Sequence, residues 1–176
     1  MSALIWAPPR LFFVETPGAT AIDLGCAYTL SVDDAGAGTL RVTSGYVALE
    51  HDGREALIPA GLICLTRRGA GPGTPFAANA SAALKTALAR FDFENGGASA
   101  LGEILAQAGT GDEVMLWHLL ARAAPAQRAG VFDRLATLHT PPASITREGI
   151  IAGDATMRLR WAEELGLAPA LFSRGF

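Results

Sequence analysis

Between residues 11 and 68 the apolar and polar positions alternate in short runs, each ended by turn-forming residues. Cys26-Ala-Tyr-Thr-Leu-Ser-Val32 sets Cys26, Tyr28, Leu30 and Val32 on one face and Ala27, Thr29 and Ser31 on the other. Period two with one apolar face predicts a half-buried strand. Asp33-Asp-Ala-Gly-Ala-Gly38 turns the chain, Thr39-Leu-Arg-Val-Thr43 runs back, and Ser44-Gly45 leads into Tyr46-Val-Ala-Leu-Glu50. Asp52-Gly53, set between two apolar runs, is a strong hairpin signal. Pro59-Ala-Gly61 makes the next turn, before Leu62-Ile-Cys-Leu-Thr66, and Gly45, Gly53, Gly61 and Gly69 recur every eight residues. Strands this short and this regularly punctuated predict an all-β sandwich, barrel or roll. Residues 67–75 hold three glycines and two prolines and predict an irregular surface loop.

From residue 81 the period changes. Leu84, Leu88 and Phe91 share one helical stripe, which predicts a helix over 81–91 that closes a β domain of residues 1–93. Glu94-Asn-Gly-Gly97 predicts a linker to a helical domain of residues 97–176. Four helices are expected there. The first covers 99–107, and the second, 112–123, opens with the capping-box pattern Thr110-Gly-Asp-Glu113. The third, 125–138, has Pro125 in its first turn. Gly153-Asp154 opens the last, in which Met157, Trp161 and Leu165 recur every four residues until Gly166 stops it. Short helices joined by turns such as Thr140-Pro-Pro142 predict a small orthogonal bundle. The fold class is therefore α+β with the two kinds of element segregated.

Composition narrows the function classes. Half of the 176 residues are apolar and 18% are charged, enough to bury a core and too apolar for disorder. The net charge of -3 offers no basic field for nucleic acid. Without a run of about 18 apolar residues, no membrane span is expected. Met1-Ser-Ala-Leu-Ile-Trp6 lacks the basic start and long apolar stretch of a signal peptide. It enters strand-like sequence at once, which predicts a chain truncated from a larger protein.

No reaction is suggested. His51, His118 and His139 lie on separate elements, without Ser–His–Asp or His-x-x-x-His spacing, so no catalytic, cofactor or metal residues are expected. Asp33-Asp34 lacks the ligand spacing and closing Glu of a calcium loop. His118, inside an apolar helix, reads as structural. Glu163-Glu164 beside Trp161 reads as a solvated helix face, because adjacent helical residues point about 100° apart. Trp6, Tyr28 and Tyr46 carry an alternative reading, a carbohydrate or cell-wall binding module. Cys26 and Cys64 are too few for a disulfide scaffold. They are either two buried small apolar residues or, in an oxidising compartment and on neighbouring strands, a disulfide pair.

Four segments carry a family resemblance: Ile5-Trp-Ala-Pro-Pro-Arg-Leu-Phe-Phe-Val-Glu-Thr-Pro17, Ala21-Ile-Asp-Leu-Gly-Cys-Ala-Tyr-Thr-Leu30, Leu40-Arg-Val-Thr-Ser-Gly-Tyr-Val-Ala-Leu49 and Leu57-Ile-Pro-Ala-Gly61. Over residues 4–76 the chain resembles the FecR domain of periplasmic regulators in iron-uptake signalling and of other envelope proteins. The resemblance implies a roll or solenoid-like β domain in the periplasm. It also implies signalling by protein–protein contact, with an envelope transducer or a second copy as partner and no cofactor. In such regulators a cytoplasmic segment restrains a sigma factor and a membrane helix joins it to the FecR domain. Neither lies in these 176 residues, so the expectation is for the interaction module and not for sigma-factor control. Family members carry further strands before the Trp-Ala-Pro-Pro segment. Strand 11–15 is therefore expected at an exposed edge, with Leu11, Phe12, Phe13 and Val14 as a candidate interface for homodimerisation or strand exchange.

Overall fold

The computed structural model describes the backbone of residues 2–6 and all of residues 13–167. The chain divides into two compact units that change over between Ala80 and Ser81. Among the described residues the first holds ten strands: β1 (Ser2–Trp6), β2 (Phe13–Glu15), β3 (Thr20–Asp23), β4 (Ala27–Val32), β5 (Gly38–Ser44), β6 (Tyr46–His51), β7 (Arg54–Pro59), β8 (Leu62–Arg67), β9 (Gly71–Pro72) and β10 (Phe76–Ala77). They form two antiparallel sheets. One runs β1-β4-β5-β8-β10, with β9 also paired to β8, and the other runs β2-β3-β6-β7.

Alternation shows clearly on β5, whereas β6 and β7 bury consecutive residues, 47–49 and 56–58, on both faces. In β5, Gly38, Leu40 and Val42 are buried while Thr39, Arg41 and Thr43 are exposed. Register sets Tyr28 beside Val42 and Leu40 beside Cys64. On the other sheet, Ala21, Leu49 and Ala56 share one row, and Asp23, Val47 and Ile58 the next. Strand β7 lies against β5 and β8 of the opposite sheet, so these rows face one core. Each fully buried aliphatic side chain there stabilises by about 1.5–3 kcal/mol. Among the described residues neither sheet closes on itself.

Gly45, Gly53, Gly61 and Gly69 all carry positive φ, so the eight-residue spacing does mark turns. Gly45 is the most constrained. It sits at φ 68, where a Cβ would land on the Gly25 carbonyl oxygen, so only glycine fits.

Within residues 67–75 only 68–70 form a surface turn, with Arg68 and Gly69 exposed. Gly71 and Pro72 pair with Arg67 and Thr66, and residues 71–76 are buried. The glycines and prolines allow a tight return along the edge of β8, and Gly73 N–H donates to the Leu65 carbonyl at 2.7 Å.

The second unit contains α1 (Ala82–Phe93), α2 (Gly97–Gln107), α3 (Glu113–Arg122), α4 (Arg128–Leu138), α5 (Arg147–Ala152) and α6 (Ala155–Glu164). Ser81 caps α1, its hydroxyl accepting from Leu84 N–H at 3.0 Å. Helices α1 and α2 pack together, and Arg90 grips Glu103 through bonds of 2.9 and 2.8 Å. Glu94–Gly97 is thus a tight turn within a helical hairpin, with Asn95 and Gly97 at φ 55 and 52. This corrects the expected domain boundary at 93–97. The helix over 81–91 belongs to the helical unit, because its partner is α2 and the chain changes units before it begins.

The predicted capping box also does not form. Asp112 accepts from Gly109 N–H and Glu113 from Gly111 N–H, both at 2.9 Å, so each carboxylate ties down the preceding turn. Pro125–Gln127 is a 3-10 turn that feeds α4. Thr146 caps α5 and Asp154 caps α6, accepting from Gly149 N–H at 3.1 Å and Met157 N–H at 3.0 Å. Trp161, Leu116, Leu119, Leu135 and Ile104 are fully buried. The Trp161 indole donates to His139 Nδ1 at 3.0 Å and meets Phe132 edge-on at 5.4 Å. No described helix is long and apolar enough to cross a membrane.

Candidate functional site at the edge of the four-stranded sheet

Strand β2 lies at the edge of the four-stranded sheet, next to β3. Phe13 and Val14, from the predicted interface, fall on it and part company. Pairing sets Val14 in one row with Ala21, Leu49 and Ala56, and Phe13 on the opposite face in a row with Ile22, Ala48 and Leu57. Phe13 is 59% exposed, while Ala48 and Leu57 are buried. Leu11 and Phe12 lie outside the described residues.

Next to this apolar row, register aligns Glu15, Thr20, Glu50 and Glu55. The β6–β7 hairpin closes the end of the sheet, with Asp52 at φ 46 and Gly53 at φ 76, angles that a tight hairpin demands. Phe13, Ile22, Thr20, Glu50 and hairpin residues 51–55 line a groove of about 530 Å³. Its chemistry is an exposed aromatic ring beside acidic side chains. His51 and Arg54 line the same groove, with His51 Nε2 3.5 Å from an Asp52 carboxylate oxygen, so charges of both signs border the ring. The sequence pointed to Phe13 and to the Asp52-Gly53 hairpin. It did not reveal that Ile22, Glu50 and Glu55 join them, because strand order sets that proximity.

Cys26 and Cys64 are not brought together, and no disulfide joins them. Cys26 immediately precedes β4 and Cys64 lies on β8, with β5 between them. Two strand spacings, about 9.6 Å, exceed the reach of a disulfide. Both side chains are buried. The Cys26 thiol donates to Asp23 Oδ1 at 2.9 Å, and the same oxygen accepts from Gly25 and Cys26 N–H at 2.8 and 3.0 Å. Burial, reinforced by that hydrogen bond, pushes the Cys26 thiol up to about 12. Such a thiol is a poor nucleophile. The Cys64 thiol donates to the Gly73 carbonyl at 3.2 Å.

Tyr28 is fully buried and burial raises its phenol to about 12, so it cannot serve as a sugar platform. Tyr46 is half-buried, and the Trp6 side chain lies outside what is described. Trp161 is a core residue, and Glu163 and Glu164 are exposed. His118 is buried, with Nδ1–H donating to the Val114 carbonyl at 2.8 Å. Desolvation, then Arg122, lowers its pKa to about 3. Among the described residues no cluster of three His, Cys, Asp or Glu is placed to hold a metal ion. Comparison with family models, curated proteins and solved structures finds no match to this chain.

Proposed function

We propose that the chain is a FecR-like interaction module of the bacterial envelope. In this reading it is periplasmic and non-enzymatic, and it works by strand-edge contact with a protein partner, either an envelope transducer or a second copy of itself. The β unit corresponds to the FecR-type roll. The observation that carries the reading is Phe13, exposed on edge strand β2 beside the groove at the β6–β7 hairpin. An edge of this kind recruits an extended segment, whose main chain continues the sheet while its side chains read the groove.

A photo-cross-linking amino acid at Phe13, in the natural host, tests this. Thr39 is the control, exposed on β5 of the other sheet. The expected result is an adduct from position 13, but not 39, that mass spectrometry identifies as an envelope transducer or the chain itself. Adducts with cell-wall fragments alone, or equal labelling from both positions, would overturn the proposal.

A further inference from the structure

A second concave site lies within the helical unit, where α3, α4 and the α5–α6 turn border a cavity of about 200 Å³. Its walls include Leu120, Ile150, Gly153 and Asp154, together with the guanidinium groups of Arg128 and Arg158. Three other arginines of the unit meet carboxylates, Arg90 with Glu103 at 2.8 Å, Arg122 with Asp92 at 3.0 Å, and Arg147 with Asp133 at 2.7 Å, while Arg134 donates to the Ala108 carbonyl. Among the described residues, Arg128 and Arg158 have no carboxylate within 4.0 Å.

Each guanidinium is nevertheless held in place. Arg128 Nη1 donates to the Ile151 carbonyl at 3.3 Å, and its buried Nε has no hydrogen-bond partner. Gly153 makes room for it, since a Cβ there would come within 2.7 Å of Arg128 Nη1. Arg158 stacks over the Trp117 ring at 4.7 Å, and the Trp117 indole donates to the Arg158 carbonyl at 2.8 Å. Burial lowers the Arg158 pKa, as expected of a cation removed from water without a counter-ion. Asp154 is the carboxylate on the wall, and its Oδ1 caps α6.

Both arginines are half-buried, Arg128 Nε is a buried donor without a partner, and neither side chain meets a carboxylate, so positive charge borders this space uncompensated. An oxyanion supplies what is missing, because guanidinium forks match carboxylate and phosphate oxygens. We propose that this cavity binds an oxyanion, phosphate or carboxylate, between Arg128 and Arg158. The site is independent of the edge strand and of the envelope reading.

The test uses the full ¹⁵N-labelled chain, following the Nε–H signals of Arg128 and Arg158 and the Trp117 indole by NMR. Inorganic phosphate and acetate are titrated separately at constant ionic strength against sodium chloride. The expected result is saturable movement of these three signals with at least one of the two anions, while Arg90 and Arg147 stay still. Whichever anion saturates the site names its source, a phosphate or a carboxylate group. Arg158→Met and Arg128→Gln should each weaken binding about 10- to 100-fold. Arg158→Lys, which keeps the cation, serves as the second variant if Arg158→Met does not fold. Drift of all arginines alike, no saturation with either anion, or wild-type binding in folded Arg158→Met or Arg128→Gln would overturn the proposal.

Discussion

His118 makes an acid-stability prediction that can be worked through from the structure. It is buried on α3, its ring meets Trp117 edge-on at 4.8 Å, and Arg122 and Arg158 both disfavour a second positive charge. Its pKa falls from 6.5 to about 3 on folding. Above pH 6.5 the imidazole is neutral in both states and His118 adds no pH dependence. Below that value the unfolded chain takes up a proton that the folded chain refuses, so stability falls steadily until about pH 3. Each pH unit in the window is worth about 1.4 kcal/mol, or roughly 3 kcal/mol lost by pH 4. A domain holds about 5–15 kcal/mol in all, so the effect is measurable. Urea midpoints of the wild type and of His118→Leu, measured from pH 7 to pH 4, isolate it, because the other titrating groups contribute to both. The gap between the two proteins should close or reverse towards pH 4 as the wild type weakens faster. Parallel loss of stability would refute the claim that His118 is held neutral.

Four further outcomes follow from named contacts. Gly45→Ala combines a left-handed backbone with a Cβ placed on the Gly25 carbonyl; it should cost more than about 2 kcal/mol, read as a fall in urea midpoint. Cys26→Ala removes a buried donor from Asp23, whose Oδ2 is already without a partner; a loss of about 1–3 kcal/mol is expected. A thiol reagent at pH 8 should find both cysteines slow in the folded chain and both reactive in denaturant, whereas a linked peptide on non-reducing mapping would contradict the strand order. Phe13→Asp should leave thermal stability within about 0.5 kcal/mol yet abolish capture by a cross-linking residue placed at Glu15 on the same strand, or any dimer seen by light scattering.

Much of the architecture follows from local pattern. Period-two alternation placed β4 and β5, because a half-buried strand puts every second side chain in the core, and apolar runs bounded by turn residues placed β6 to β8, which are buried on both faces over 47–49, 56–58 and 62–64. The positive φ at Gly45, Gly53 and Gly61 answers a steric demand that only glycine meets without cost. Asp154 could be read as a helix opener for the same local reason, since its carboxylate reaches an N–H three residues on. What pairs with what was not legible. Cys26 and Cys64 look alike in sequence, but an intervening strand separates them. The 81–91 helix looked like a lid for the β unit because its stripe says only that it packs, not on what. Glu50, Glu55 and Phe13 meet through strand register, and Arg128 and Arg158 through the α5–α6 turn, across 30 or more residues in each case. Sequence by itself determined strands β4 to β8 with their turns, most of the helices and the segregated α+β class, because those rest on contacts between near neighbours. Tertiary structure alone decided the groove, the arginine cavity and the state of the cysteines, because each depends on which distant elements pack together.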